Sequence, residues 1–258
     1  MADSSASPIY RPVSTQRLYE GVVRQIVQQV VQGALEPGAC LPSEFTLAQQ
    51  FGVSRTVIRE AMRILAGKGL VAVKHGSGMQ IQPPEQWNVL DPLILFEQLR
   101  SGHDQSFLND LLELRRIVET EVAALAAQRR SEEDIRTLHE QIDSMRAVLD
   151  DPKAYTRLDV LFHETIMNIA RNRLLAQTLR PASQALFLMR LISSQRPGGP
   201  ALSERGHEQI VTAIESGDPQ QARSTLLQHI LQFEDDIRTT LAAGITESLP
   251  DIEQELGV

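Results

Sequence analysis

Cysteine occurs once in this 258-residue chain, and aromatic residues make up only 4% of it. The single thiol, Cys40, excludes any disulfide within the chain and fits a reducing cytoplasm, where the protein is expected to reside. Lying between Pro37 and Pro42, it reads as a half-buried small apolar residue and not as a nucleophile. So few aromatics leave little platform for stacking the bases of a single strand. No apolar run approaches the ~20 residues of a membrane span, and the polar start MADSSASPIYRP lacks a signal-peptide core. No membrane partner is therefore expected. Absent too is any nucleophile motif; His163-Glu164 and His207-Glu208 both lack the second histidine of H-E-x-x-H.

Charge is present but unevenly spread. The net charge is −8, yet residues 11–80 carry eight basic side chains against four acidic ones, and residues 81–258 carry 17 against 28. A basic N-terminal part joined to an acidic body suits a reader of duplex DNA attached to a module that nucleic acid repels.

Residues 42–68, PSEFTLAQQFGVSRTVIREAMRILAGK, predict two short helices joined by a tight turn at Gly52-Val53. Ser43 caps the first, with Glu44 in its first turn, and Ser54 caps the second. Leu47, Ala48 and Phe51 form one apolar face; Val57, Ile58, Ala61, Ile64 and Leu65 form the other. That leaves Ser54, Arg55, Thr56 and Arg59 off the apolar face at the start of the second helix. A recognition helix contacts DNA mainly through such N-terminal residues, and arginine there pairs with guanine or clamps phosphate. The alternative is a helical hairpin with a solvated arginine edge. Leu70–Val73, the turn His75-Gly-Ser-Gly78 and Met79–Ile81 then predict a hairpin with a Gly-rich tip, the wing of a winged helix.

The organisation follows from these signals. We expect a disordered arm at 1–13, a winged helix-turn-helix at 14–82, a linker at 83–90, a helical domain at 91–243 and a frayed acidic tail at 244–258. Helices are expected at 91–100, 104–129, 132–149, 153–170, 172–195, 203–216 and 218–243, punctuated by Asp151-Pro152, Arg196-Pro-Gly-Gly-Pro200 and Gly217-Asp-Pro219. The predicted fold is mostly α, a winged helix followed by an antiparallel all-helical bundle.

Within the bundle, Asp159 and His163 are four apart and so share one helix face. His207 opens a later helix and His229 lies midway along the last. Each alone is an ordinary satisfied polar residue; four in a His-poor chain also suit a metal site built from facing helices. The residues leave both readings open.

The segment LPSEFTLAQQFGVSRTVIREAMRILAGKGLVAVKHGSGMQI resembles the N-terminal domain of the GntR superfamily of bacterial transcription regulators. The remainder resembles its FadR-type branch, whose C-terminal part is the helical FCD ligand-binding domain. The resemblance spans roughly residues 14–240. By motif position it implies DNA contacts at Arg55, Thr56, Arg59, His75 and Gly76, with Ser54 at the helix start. Several members carry arginine after the PSE motif where this chain has Phe45, which weakens any contact from the first helix. In the bundle it implies metal ligands at Asp159, His163, His207 and His229, read from Asp159-Val-Leu-Phe-His163, His207-Glu-Gln-Ile210 and Ala222 with His229. Three imidazoles and a carboxylate suit a divalent ion, Zn²⁺ or Ni²⁺ first. It further implies that Arg115 holds an acidic effector, the alternative being an i,i+4 pair with Glu119. The expected protein is a homodimeric regulator, a repressor, that binds a pseudo-palindromic operator and responds to a small carboxylic acid such as a sugar acid. The rival is a metal-dependent enzyme with an appended DNA-binding domain.

Overall fold

The computed structural model describes residues 16–74, 78–101 and 105–242. The expected arm, the tail, and His75 and Gly76 of the wing lie outside the described residues. Packing divides the chain into two compact units that meet at Val89 and Leu90.

The first unit opens with α1 (Gln16–Val31), whose Val22, Val23, Ile26, Val27 and Val30 recur at helical spacing and are buried. They pack against α3 (Arg55–Gly67), where Val57, Ile58, Ala61, Met62 and Leu65 form the buried stripe. Between them α2 (Glu44–Phe51) is capped by Ser43, whose Oγ accepts from the Thr46 N–H, and ended by Gly52 at φ 65. That left-handed turn needs glycine and redirects the chain into α3. Strands β1 (Val71–Lys74) and β2 (Gly78–Ile81) pair antiparallel from Val71↔Ile81 to Lys74↔Gly78. Residues 39–41 add an edge to β2: the Leu41 N–H donates to Met79 O, and the Ile81 N–H donates to Ala39 O. This edge holds Cys40 in extended backbone with its side chain exposed, correcting the expectation of a half-buried residue.

Residues 83–88 fold back onto the same unit. After a single 3-10 turn at Pro84–Gln86, the Trp87 indole N–H donates to Gln82 O at 2.8 Å and the Asn88 N–H donates to Lys68 O at 2.9 Å. Gly69, at φ +74, makes room for this return, since a Cβ there would lie 2.0 Å from Gln86 O.

The second unit is helical throughout its described residues. It runs α4 (Pro92–Ser101), α5 (Gln105–Arg129), α6 (Glu132–Arg146), α7 (Pro152–Ile169), α8 (Arg173–Leu179), α9 (Ser183–Ser194), α10 (Gly199–Ser216) and α11 (Pro219–Ala242). The long α5 is central and packs on α11, α7 and α10. One core cluster joins Val122, Ala126, Leu138, Phe162, Ile210 and Leu226; a second joins Leu95, Leu112, Leu186, Leu191, Phe233 and Ile237. At ~1.5–3 kcal/mol for each large apolar side chain buried, these clusters dominate the stabilisation of the bundle.

Two expected boundaries are corrected. The helix expected over 172–195 is broken by a 3-10 turn at Arg180–Ala182, because Pro181 has no N–H to continue the ladder. The helix expected from 203 starts at Gly199, since Pro200 falls in the first turn, where its missing N–H costs nothing.

Candidate functional site

Two surfaces carry chemistry, one in each unit. In the first, Ser54 caps α3, its Oγ accepting from the Val57 N–H at 3.3 Å. Ser54, Arg55, Thr56 and Arg59 are all exposed at the helix start, while the opposite stripe is buried. Glu44, at the first position of α2, orients both arginines. Its Oε2 accepts from Arg59 Nε at 2.8 Å and lies 4.0 Å from Arg55 Nη2. An exposed pair of this kind adds ~0–1 kcal/mol at most, so orientation is the larger consequence. The sequence marked Glu44 only as a first-turn acid. Phe45 stands 58% exposed beside this cationic edge.

The second surface is interior. Asp151 caps α7 through Lys153 and Ala154, with Pro152 in the first turn. The helix then buries Tyr155, Asp159, Phe162, His163 and Ile166 on one stripe. His207 projects from α10 and His229 from α11. One donor atom from each of Asp159, His163, His207 and His229 lies within 4.8 Å of every other. Ligand bonds of about 2.0–2.2 Å would hold donors within ~4 Å of one another, so a small inward movement closes the set on one ion. Asp159, His163 and His207 are buried and His229 is half-buried. His163 Nε2 and His207 Nε2 are buried with no hydrogen-bond partner among the described residues, while Asp159 Oδ2 is met by the Arg190 guanidinium, Nε 2.5 Å away. Orphaned acceptors of this kind are costly unless something fills the space between them. The donor set therefore fits a divalent ion.

Neighbours shape these ligands. Glu119 on α5 places Oε2 3.1 Å from His163 Nδ1, and Tyr155 places its hydroxyl 3.2 Å from His207 Nδ1. With Tyr155 bonded to His207 Nδ1 and the Glu119 carboxylate beside His163 Nδ1, Nε2 of each ring is left for the cluster, the usual arrangement of a ligating histidine. The approaches of Glu119 Oε2 to His163 and of His207 Nε2 to Asp159 Oδ1, the latter 3.1 Å, are close but not aligned as hydrogen bonds. Gly206 makes room for the fourth ligand, since a Cβ there would lie 2.6 Å from His229 Nδ1.

The charges are similarly arranged. Burial would raise the Asp159 carboxyl, but Arg190, with Nε 2.5 Å from Oδ2, and His207 hold it well below the usual range. Burial and then Arg190 push His163 down to about 4, against the opposing pull of Glu119. Burial, then His207 and His163, push His229 well below its ordinary value. Glu119 is favoured by burial toward protonation but is kept ionised by Arg115, His163 and Arg190. The carboxylates are thus charged, and these two imidazoles neutral, near neutral pH, as metal ligation requires.

Arg115 is fully buried on α5. Its Nε donates to Glu119 Oε1 at 2.7 Å, so the i,i+4 pair is formed, and its guanidinium lies 4.4 Å from the centre of the Phe233 ring. Both of its Nη atoms lack a partner among the described residues. An ordinary surface pair is solvated; this one keeps two buried donors free. Cavities flank the cluster on two sides: one of about 240 Å³ touches Glu119, His163 and Arg190, and one of about 290 Å³ touches Gly206, His229 and Phe233.

The structure thus gathers the four expected ligands and sets Arg115 nearby through Glu119. Sequence reasoning missed Arg190, Tyr155 and Gly206, and treated Glu119 only as a partner for Arg115. Arg190 had a signal: it is the one charged residue in SQALFLMRLISS, an otherwise apolar helix.

Comparison with known proteins bears on both surfaces. Residues 18–81 match the model described as bacterial regulatory proteins, gntR family, and residues 110–232 match the FCD domain. The chain is 30% identical over 212 residues to the HTH-type transcriptional regulator LutR of Bacillus subtilis, covering 80% of this chain and 94% of that protein. It is 29% identical over 212 residues to the galactonate operon transcriptional repressor of Escherichia coli, covering 81% and 92%. The solved structure of Lar, which controls the expression of the Listeria monocytogenes agr system, superposes with a TM-score of 0.56 at 18% identity, covering 89% of this chain and 99% of that one. At that identity the likeness is one of fold.

Proposed function

Because the chain belongs to the gntR family of bacterial regulatory proteins, with the FCD domain of its FadR-type branch, and is a transcriptional regulator and not an enzyme, we propose that it is a metal-dependent sensor of a small carboxylic acid acting as an operator-binding repressor. The observation that carries this reading is the set of orphaned buried atoms. His163 Nε2 and His207 Nε2 are left beside the Asp159 carboxylate in a donor set fit for a cation, and both Nη atoms of Arg115 offer a fork for a carboxylate.

Asp159, His163, His207 and His229 would hold Zn²⁺, Ni²⁺ or a similar ion, which when bound supplies a positive point for carboxylate and hydroxyl oxygens. Arg115 takes the carboxylate, and Glu119 and Phe233 keep its guanidinium in place. Ser54, Arg55, Thr56 and Arg59 read the duplex, with His75 and Gly76 in the wing. The winged helix is assigned to 14–82, with 83–88 laid back on it, and the effector domain to 91–243. Two copies bind the two halves of a pseudo-palindrome. Acid and operator oppose each other through one reciprocal coupling free energy. The name of the galactonate operon repressor supports repression and a sugar acid as effector.

The test combines metal analysis with operator binding. His163→Ala with His229→Ala should strip stoichiometric metal and abolish release of operator by acid, while apo binding to operator persists. A double variant that retains its metal would sink the assignment of the site.

A further inference from the structure

Arg190 has no place in the function proposed above, yet it is one of two guanidinium groups buried against a single carboxylate. Arg115 Nε lies 2.7 Å from Glu119 Oε1, and Arg190 Nη2 lies 3.9 Å from the same oxygen. Arg190 is only 7% exposed and Arg115 is fully enclosed. Each spends its Nε on one carboxylate, Arg190 on Asp159 and Arg115 on Glu119. That leaves Arg190 Nη2 and both Nη atoms of Arg115 without hydrogen-bond partners among the described residues. Three buried donors on two like-charged groups are expensive unless an anion meets them.

The charge balance points the same way. Two arginines and two carboxylates, Glu119 and Asp159, cancel. A divalent ion ligated by Asp159 and neutral imidazoles would then add two uncompensated positive charges to a buried interior. A monocarboxylate offsets half of that surplus, and a dicarboxylate offsets all of it. Arg190 is also among the residues that line the cavity of about 240 Å³ reaching His163 and Glu119, so the space nearest its buried donor is one a small molecule could enter.

We infer that Arg190 is a second anion anchor and that the effector is a small dicarboxylate, one end held by Arg115 beside the metal ligands and the other by Arg190. This rests on the acid-sensing function proposed above and narrows its ligand class. A hydroxyl-bearing diacid fits best, because the carboxylate ends take the two forks and a hydroxyl oxygen remains for the cation.

Calorimetry and thermal shift on the full-length, Zn²⁺-loaded protein provide the test, with galactarate against galactonate and malate against lactate as matched pairs. The diacid of each pair should bind at least about tenfold more tightly, close to 1.4 kcal/mol. Arg190→Gln should keep its Zn²⁺ by elemental analysis and lose that preference, and Arg190→Lys should restore part of it. The inference is overturned if the monoacid binds as well as the diacid, or if Arg190→Gln keeps the preference. It is also overturned if Arg190→Gln loses its metal, which would make Arg190 a positioning residue for Asp159. Should galactonate and lactate bind in a Zn²⁺-dependent way without a diacid advantage, acid sensing stands and only the ligand class fails. If neither kind of acid binds, both fall together.

Discussion

Single side chains decide how well the interior cluster is formed. Gly206 lets the α10 backbone approach His229, and an added methyl would meet Nδ1 at 2.6 Å. Gly206→Ala should therefore turn the His229 ring away and weaken metal binding about 10–100-fold, with the helical circular dichroism unchanged. Unaltered Zn²⁺ affinity by competition with a chelating dye would show that the ring adapts. Protonation acts at the same scale. His163 is pushed down to about 4 by burial and Arg190, so between that value and its ordinary 6.5 the unfolded chain binds more protons than the folded one. Stability is then intact above the ordinary value and lost as pH falls through the window, on the order of 3 kcal/mol for this group by pH 4. Asp159 and Glu119, both held below the carboxylate range, add losses only at still lower pH. Metal-stripped protein should show a melting temperature that is level above pH 6.5 and falls toward pH 4; a flat profile would contradict the assigned neutral histidine.

Helices and turns show where sequence is and is not legible. The α3 stripe, the Ser43 and Ser54 caps and the Gly52 turn follow from local chemistry, and each stands where the pattern placed it. Asp159 and His163 fall on one face because four residues is one helical turn. Position across helices is another matter. Arg116, next in the chain to Arg115, bonds Glu234 on α11 at 2.6 Å, a pairing 118 residues distant that no local period encodes. Arg190 is the one charged member of an apolar helix pattern and Pro181 interrupts a pattern that resumes beyond it, so a local period signals neither. Glu44 belongs to this class as well: its partners are on the next helix. Glu44→Gln should loosen Arg55 and Arg59 and change operator affinity severalfold, where Arg59→Ala should weaken it by about 1–3 kcal/mol. Equal footprints for both variants and the parent would remove α3 from the interface. At the turn after α3, Gly69→Ala must expel Gln86 O from 2.0 Å at a residue with φ +74, and should cost ~1–3 kcal/mol in urea unfolding.

Across the whole chain, charge divides as the fold does. A basic 11–80 and an acidic 81–258 mean that affinity for duplex should come from the first part alone and fall steeply with salt. Lengthening the operator beyond its two half-sites should leave the salt slope unchanged; a slope that grows would mean that the acidic body also meets DNA. The helical unit contributes something different through Glu119. This one carboxylate holds Arg115, the proposed acid anchor, through Oε1 and lies against His163, a proposed metal ligand, through Oε2. On the proposed function, an occupant that reorients it for one purpose changes it for the other, so metal and acid would alter each other's affinity by one common factor. In circuit terms, the proposed sensor has two inputs wired through Glu119 to a single gate, so a cell's metal supply would set how it reads the acid.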